Sequence, residues 1–343
     1  MASSCNVHTV AHFEINCHCC LDAAGRPCGT LPLFAQNPDR LRKLYRAMAL
    51  TRAFDEKAIA LQRTGRLGTY ASSLGQEAVG VGIASAMIDE DVLLPSFREH
   101  GAQLVRGVSL KELLLYWGGD ERGSAFEGPD RDFPVCIPVA SHFPHAAGVG
   151  LALKLKGRQA AAVCIAGDGA TSKGDFYEAI NIAGAWSLPV LFVIANNQWA
   201  ISVSRAAQTK TRTLAQKAIA AGIETKQVDG NDVIGVTAVT DDALKSIRKG
   251  GGPQLIEALT YRLGDHTTAD DSRRYRDDDL VSKHWKEEPL IRLRTYLVEQ
   301  GWWTSDDEHE LLTDCTQEVA AAAEAYLETP AEPTEAIFKH LFA

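Results

Sequence analysis

The sequence predicts a doubly wound α/β fold on a mostly parallel sheet, flanked by an N-terminal arm and C-terminal helices. Two observations carry this expectation. The runs AAAVCIA (160–166) and PVLFVIA (189–195) are short and apolar without polar alternation, as in strands buried on both faces. Helical patterns alternate with these and further strands in a βαβαβ rhythm, which calls for crossover helices and a parallel sheet. Hydrophobic residues make up 45% and charged residues 23% of the 343, a balance that supports a sizeable core.

In chain order, residues 1–38 read as an irregular arm with short strand-like pieces, punctuated by Gly25, Pro27, Gly29, Pro32 and Pro38. The principal domain is expected over 39–281 and a helical extension over 282–343. A helical period runs from Asp39, taken as N-cap, to Thr64. A second helix is expected over Gln76–Met87 and a third over Leu110–Trp117 behind the Ser109 cap. Pro144 is a favoured first helical residue and opens the next helix. After the strand at 160–166 come a helix over Asp175–Trp186, the strand at 189–195 and a helix around Leu214–Ala221. A strand at Lys226–Val228, a helix over Val233–Lys249 and the strand QLIEALTY (254–261) close the series. The loop GDHTTADDSRRYRDDD that follows has no apolar period. No comparable strand–helix alternation is expected before residue 150.

Several function classes are excluded at this level. The formal net charge of -9 argues against a nucleic-acid binder. No run of 18 apolar residues marks a membrane span. The N-terminus has neither a basic nor an apolar signal region and no arginine before Arg26, so a cytoplasmic protein is expected. Cys17, Cys19, Cys20 and Cys28 cluster near His8, His12 and His18. The spacing C-x-C-C-x7-C lacks the paired half of a zinc motif, so the cluster reads as reduced thiols in the arm, with a metal site as the alternative. Cys136, Cys164 and Cys315 stand singly and are expected to pack as small apolar residues.

The chemistry concentrates in GDGATSKGDFYEAINIAGAWSLPVLFVIANNQWAIS, residues 167–202. Gly167-Asp168-Gly169 ends one expected strand and Asn196-Asn197 the next, with 26 residues between Gly169 and Asn196, the length of one helix and one strand. In a parallel sheet both motifs emerge at the carboxyl edge, where open α/β sheets bind ligands. Asp168 offers an anionic oxygen and Asn197 a neutral one, both suited to Mg²⁺, and the turn beyond them adds a backbone carbonyl, that of Trp199. Gly167 and Gly169 let the backbone approach closely, with amides near a helix N-terminus for phosphate, and Ala170 belongs to the same turn. GDG alone is more often an ordinary turn, as is an Asn pair; the two together on a βαβ frame are specific.

The combination resembles the thiamine-diphosphate motif, and its surroundings are similar to the alpha subunits of pyruvate and branched-chain 2-oxo acid dehydrogenases over roughly residues 40–343. Supporting segments are GRLGTYASSLGQEA (65–78), PSFREHG (95–101), QVDGNDV (227–233), TYRLGDHTTADD (260–271) and LIRLRTYLVEQGWW (290–303). The resemblance implies the thiamine-diphosphate-binding fold, with thiamine diphosphate and Mg²⁺ as cofactors. It implies that Phe97 and Arg98 face the cofactor, with Arg98 on the diphosphate; bare sequence would make Arg98 a surface residue. It implies that the backbone of Ile137 and Val139 meets the aminopyrimidine, where bare sequence would put core residues. His266, otherwise a solvated loop histidine, is implied to contact the diphosphate beside the reacting carbon. Regulated relatives carry a phosphorylated serine directly after this histidine; Thr267 stands there.

Two departures bear on substrate. Some pyruvate-specific relatives carry a histidine at the position of Ala71. Branched-chain relatives can carry an arginine before the Asn pair, where Ala195 stands, and this tilts the expectation to pyruvate. The LGTYASSLGQEA segment also looks like bacterial pyruvate dehydrogenase alpha chains. The resemblance implies oxidative decarboxylation of a small 2-oxo acid and acyl transfer to the lipoyl group of a dihydrolipoyl acyltransferase. It implies a beta subunit in an α2β2 assembly, which supplies the glutamate that activates the pyrimidine. Branched-chain 2-oxo acid and acetoin dehydrogenase alpha subunits are the alternatives within the class. A nucleotide-binding oxidoreductase would need a Gly-rich turn after its first strand, and the nearest candidate, GVGIA (80–84), lies in an expected helix. A non-catalytic interaction subunit would keep the fold without binding the cofactor.

Overall fold

In the computed structural model, described over residues 7–339, a six-stranded sheet with every pairing parallel organises the chain. Residues 1–6 of the expected arm and 340–343 of the C-terminal segment lie outside the described residues. Strand β1 (Cys17–His18) comes from the arm, and α1 (Pro38–Arg63), α2 (Glu77–Ala84), β2 (Val92–Leu94), α3 (His100–Arg106) and α4 (Leu110–Trp117) follow. Then come α5 (His142–Leu155), β3 (Ala162–Gly167), α6 (Gly174–Ala185), β4 (Val190–Asn196) and a small antiparallel hairpin, β5 (Trp199–Ala200) with β6 (Val203–Ser204). Next are α7 (Arg205–Gln208), α8 (Gln216–Ile219), β7 (Glu224–Asp229), α9 (Val233–Arg248) and β8 (Gln254–Leu259). The chain ends with α10 (Asp278–Trp285), α11 (Pro289–Glu299) and α12 (Ser305–Leu327). The strand order is β1-β7-β8-β4-β3-β2.

The unbroken apolar runs follow from packing on both faces of this sheet. Ala162, Cys164 and Ala166 of β3 and Phe192 of β4 turn toward a core shared with Phe143 of α5 and Phe176 of α6. Val163, Ile165 and Val193 turn the other way, against Val79 and Ile83 of α2 and Val236 and Ile247 of α9. Phe143 stacks on Phe192 at 5.5 Å and meets Phe176 edge-on at 5.4 Å, so truncating any of the three to alanine costs about 3–5 kcal/mol. A third core joins α1 and α4 to the C-terminal helices through Leu44, Met48, Leu114, Leu297, Trp303 and Val319.

Local chemistry corrects several element ends. The cap of α1 is Asn37, whose side chain accepts from Arg40 N with Pro38 in the first turn, so Asp39 lies inside the helix. Pro144 is not the first residue of α5, which opens at His142. Around Leu214–Ala221 only Gln216–Ile219 is α-helical. The Ser109 cap of α4 is present and reciprocal: Glu112 N donates to Ser109 Oγ while Glu112 Oε2 accepts from Ser109 N at 2.7 Å. Before residue 150 the sheet does gain strands, β1 and β2, too short for a periodic signal. GVGIA lies within α2, every residue of which is buried. Among the described residues no helix is long and apolar enough to cross a membrane.

Candidate active site

Four adjacent strands deliver their carboxyl ends to one cavity of about 610 Å³. β2 runs into Ser96-Phe97-Arg98, β3 into Gly167-Asp168-Gly169, β4 into Asn197, and β8 into the loop that carries His266. The register pairs Gly167 with Ala195, which sets the two motifs at one level. Phe97, Arg98, Ile137, Val139, Gly167, Asp168, Gly169, Ala170, Asn197, Trp199 and His266 all line this cavity.

Arg98 is buried, contrary to its surface reading, because a tight turn turns it inward: Glu99 accepts from Ser96 Oγ at 2.6 Å and from Arg98 N at 3.2 Å. Its guanidinium donates to Ser72 O at 2.5 Å through Nη1, and through Nη2 to the His266 carbonyl at 2.5 Å and to His266 Nδ1 at 2.9 Å. Burial, and next the charge of Arg262, lower the Arg98 pKa to about 10. His266 is lowered to about 4 by burial and then by Arg98 and Arg262, so its imidazole is neutral at pH 7. A guanidinium only donates, so Nδ1 accepts and the proton sits on Nε2. Neither Arg98 nor Arg262 forms an ion pair among the described residues. Arg98, which lines the cavity, therefore suits an anion there, while Arg262 lies outside the lining and donates to Trp199 O, Ile201 O and Tyr275 OH.

The turns after β3 and β4 suit a cation. Asp168 is 1% exposed, and burial pushes its carboxyl up from the usual range. Its direct partner is the neutral amide of Gln208, which donates to Oδ2 at 2.6 Å, and it makes no ion pair among the described residues. A buried carboxylate without a positive neighbour in contact is costly and gains from a metal ion. Asn197 Oδ1 accepts from Trp199 N at 3.1 Å, leaving a second lone pair, while its amide donates to Gln76 Oε1 at 3.1 Å. The Trp199 carbonyl accepts from Arg262 Nη1 at 3.3 Å. An ideal Cβ at Gly167 would meet nothing within 4 Å, so the missing side chain leaves open space at the cavity wall. At Gly169 a Cβ would lie 2.8 Å from Ala200 Cβ, so glycine there also lets the turn pack on β5. The donor set fits a hard divalent cation beside a diphosphate.

Ile137 and Val139 are not core residues: they are 49% and 46% exposed. The next residue, Ala140, has φ +71°, and Gln198 and Ile201 also adopt positive φ beside the cavity, where strained backbone concentrates at functional sites. Ala71, Ala195 and Thr267 line the cavity too. Of the Asn pair, Asn196 turns away, its amide donating to Glu257 at 2.6 Å.

Five contributors went unassigned from sequence: Asp55, Ser72, Gln76, Gln208 and Arg262. Ser72 and Gln76 lie within GRLGTYASSLGQEA and Arg262 within TYRLGDHTTADD, segments matched as blocks. Asp55 was visible as an acid on the apolar face of α1, between Thr51 and Ala58. Nothing in its neighbourhood marks Gln208. Among the described residues no group of three or more His, Cys, Asp or Glu side chains is placed to hold a metal ion, the N-terminal cysteines and histidines included.

Comparison with known proteins identifies the type of chain that carries this arrangement. Residues 45–335 match the model of the dehydrogenase E1 component family. Similar proteins named pyruvate dehydrogenase E1 component subunit alpha occur in Bacillus subtilis, 38% identical over 300 residues, 87% of this chain and 80% of that one. Another, from Staphylococcus aureus, is 42% identical over 286 residues, 83% of this chain and 77% of that one. A third, from Acholeplasma laidlawii, is 40% identical over 282 residues and 82% of each chain.

Proposed function

The chain belongs to the dehydrogenase E1 component family, and on that premise we propose that it is the alpha subunit of a thiamine-diphosphate-dependent pyruvate dehydrogenase. The observation that carries this reading is one cavity lined both by the buried carboxylate of Asp168, which has no ion-pair partner among the described residues, and by the Arg98 guanidinium, which has none either. A Mg²⁺–diphosphate pair answers both demands at once.

Thiamine diphosphate, when bound, supplies the nucleophilic carbon and the electron sink that let carbon dioxide leave a 2-oxo acid. The protein's part is binding, orientation and charge. Asp168, Asn197 and the Trp199 carbonyl would hold Mg²⁺, while Gly167, Gly169 and Ala170 would admit the diphosphate to the backbone. Arg98 would meet the diphosphate with its charge and the N–H groups not held by Ser72 and His266. Phe97 and the backbone of Ile137 and Val139 position the ring system. His266 keeps a proton on Nε2, which has no partner among the described residues, and directs it at charge developing near the reacting carbon.

The acyl product passes to the lipoyl group of a partner acyltransferase, and a beta subunit completes the site in an α2β2 assembly in the cytoplasm. Ala195, small and on the cavity wall, leaves no cationic group before the Asn pair and supports pyruvate over branched-chain 2-oxo acids. Steady-state rates of the reconstituted complex with pyruvate, 2-oxoisovalerate and acetoin test this choice. Pyruvate is expected to have the highest kcat/KM; a higher value for either of the others reassigns the substrate.

A further inference from the structure

The arm contains a second piece of chemistry, remote from the cavity's lining. Residues 19–28 form a hairpin: Leu21 bridges Pro27 in antiparallel fashion, Cys28 N donates to Cys20 O at 2.8 Å, and Asp22 N donates to Arg26 O at 2.8 Å. Asp22 Oδ1 closes the tip by accepting from Ala24 N and Arg26 N, each at 2.9 Å, and Gly25 turns with φ +78°. The closure sets the Cys19 and Cys28 sulfurs 3.3 Å apart, both residues exposed. No other pair of cysteine sulfurs among the described residues makes such a contact. A disulfide needs about 2.05 Å, so a side-chain adjustment of little more than an ångström joins them.

The hairpin is docked firmly. Cys20 N and Leu21 N both donate to Asp232 Oδ2, at 2.6 and 2.9 Å, and Asp232 also caps α9. Leu21 is buried, its carbonyl accepts from Arg292 at 3.3 Å, and Cys17 and His18 pair with β7. A cross-link at its base would thus close the hairpin that rests on the sheet edge, the start of α9 and α11.

We infer that Cys19 and Cys28 are a built oxidation site, converted to an intrachain disulfide by a low-molecular-weight disulfide such as oxidised glutathione. The Cys28 thiolate attacks one sulfur of the oxidant, whose S–S bond breaks and releases one thiol. The Cys19 thiolate then attacks Cys28 Sγ and expels the second thiol. Two protein thiols lose two protons and two electrons; the oxidant becomes two thiols. Burial, and next the hydrogen bond to Cys28, push the Cys19 thiol up and disfavour it as the first nucleophile; that hydrogen bond with the Cys28 thiol is gone once Cys28 is in the mixed disulfide.

The test treats the full-length protein, in its assembled state, with oxidised glutathione, blocks remaining thiols, and digests it without reductant using a protease that cleaves before Asp22. Mass spectrometry should find the peptides on either side of that cleavage joined through Cys19 and Cys28, with a loss of two titratable thiols. C19S and C28S should each abolish the link, and C17S and C20S should leave it. Linkage of Cys28 to Cys17 or Cys20, glutathione retained on Cys28, cross-links between chains, or stoichiometric zinc lost in C28S would each overturn the inference. The wild-type peptide map decides the matter even if a variant fails to fold.

Discussion

Arg98 and His266 are joined twice: one guanidinium nitrogen donates to both the carbonyl oxygen and the ring Nδ1 of the histidine. Two loops 168 positions apart in sequence thereby become one unit facing the cavity. Its geometry depends on a planar fork, which lysine does not have. Arg98→Lys should weaken thiamine diphosphate binding by about 10-fold or more, a bidentate charge-assisted contact being lost with the charge kept. Isothermal titration with Mg²⁺ present measures it; affinity within about 2-fold of wild type would show that the charge alone matters.

The same unit makes a pH prediction. His266, lowered to about 4, stays neutral in the folded chain while an unfolded histidine titrates near 6.5. Its contribution to stability is therefore present above about pH 6.5 and is lost as pH falls toward 4. An anion bound in the cavity beside Arg98 offsets the positive charge that helps to lower it, so pyrophosphate should raise the midpoint. NMR titration of the ring, assigned with His266→Ala, reads both values; an unshifted midpoint near about 6.5 contradicts the geometry. In the assembled enzyme His266→Ala should lower turnover by about 100-fold or more.

The metal half of the account rests on Asp168 and Asn197. Asp168→Ala should abolish Mg²⁺-dependent cofactor binding and leave the circular dichroism spectrum unchanged. Asn197→Ala should do nearly as much harm, because a small hard cation tolerates the loss of an oxygen poorly. Chelation by EDTA should release cofactor from the wild type. Unchanged affinity in either variant removes that residue from the metal's shell.

Asp55 should matter for stability though it touches no ligand. Buried at 2% exposure, it accepts from Tyr70 OH, Ser72 Oγ and both N and Oγ of Ser73, holding the loop that anchors Arg98 through Ser72 O. Asp55→Ala leaves these donors without their acceptor and should cost about 2–3 kcal/mol in urea unfolding. A change under about 0.5 kcal/mol would assign the loop's order to other contacts.

The central strands, the crossover helices and the GDG-to-Asn pair were legible because burial on both faces writes an unbroken apolar run and the register follows from it. The strands β1 and β2 were not, since two or three residues carry no period and are recruited by neighbours already in place. Resemblance pointed to Phe97, Arg98, Ile137, Val139 and His266, and all five line the cavity with Asp168 and Asn197. The contacts supporting them were illegible for a physical reason. Gln208 meets Asp168 across 40 positions and Asp55 sits 15 to 18 positions from its donors, so three-dimensional closure defines these roles.

Among the described residues there is one parallel sheet, which on the proposed reading would hold the diphosphate half of a thiamine site. On the proposed reading, a second chain would supply the carboxylate that activates the pyrimidine. Decarboxylation of pyruvate, followed with an artificial electron acceptor, tests this directly with the purified chain alone and with its beta partner, each with and without thiamine diphosphate and Mg²⁺. Turnover is expected only when partner, cofactor and metal are all present. Substantial turnover by this chain alone, shown by mass spectrometry to be free of partner, or by the assembly without thiamine diphosphate, would contradict the account.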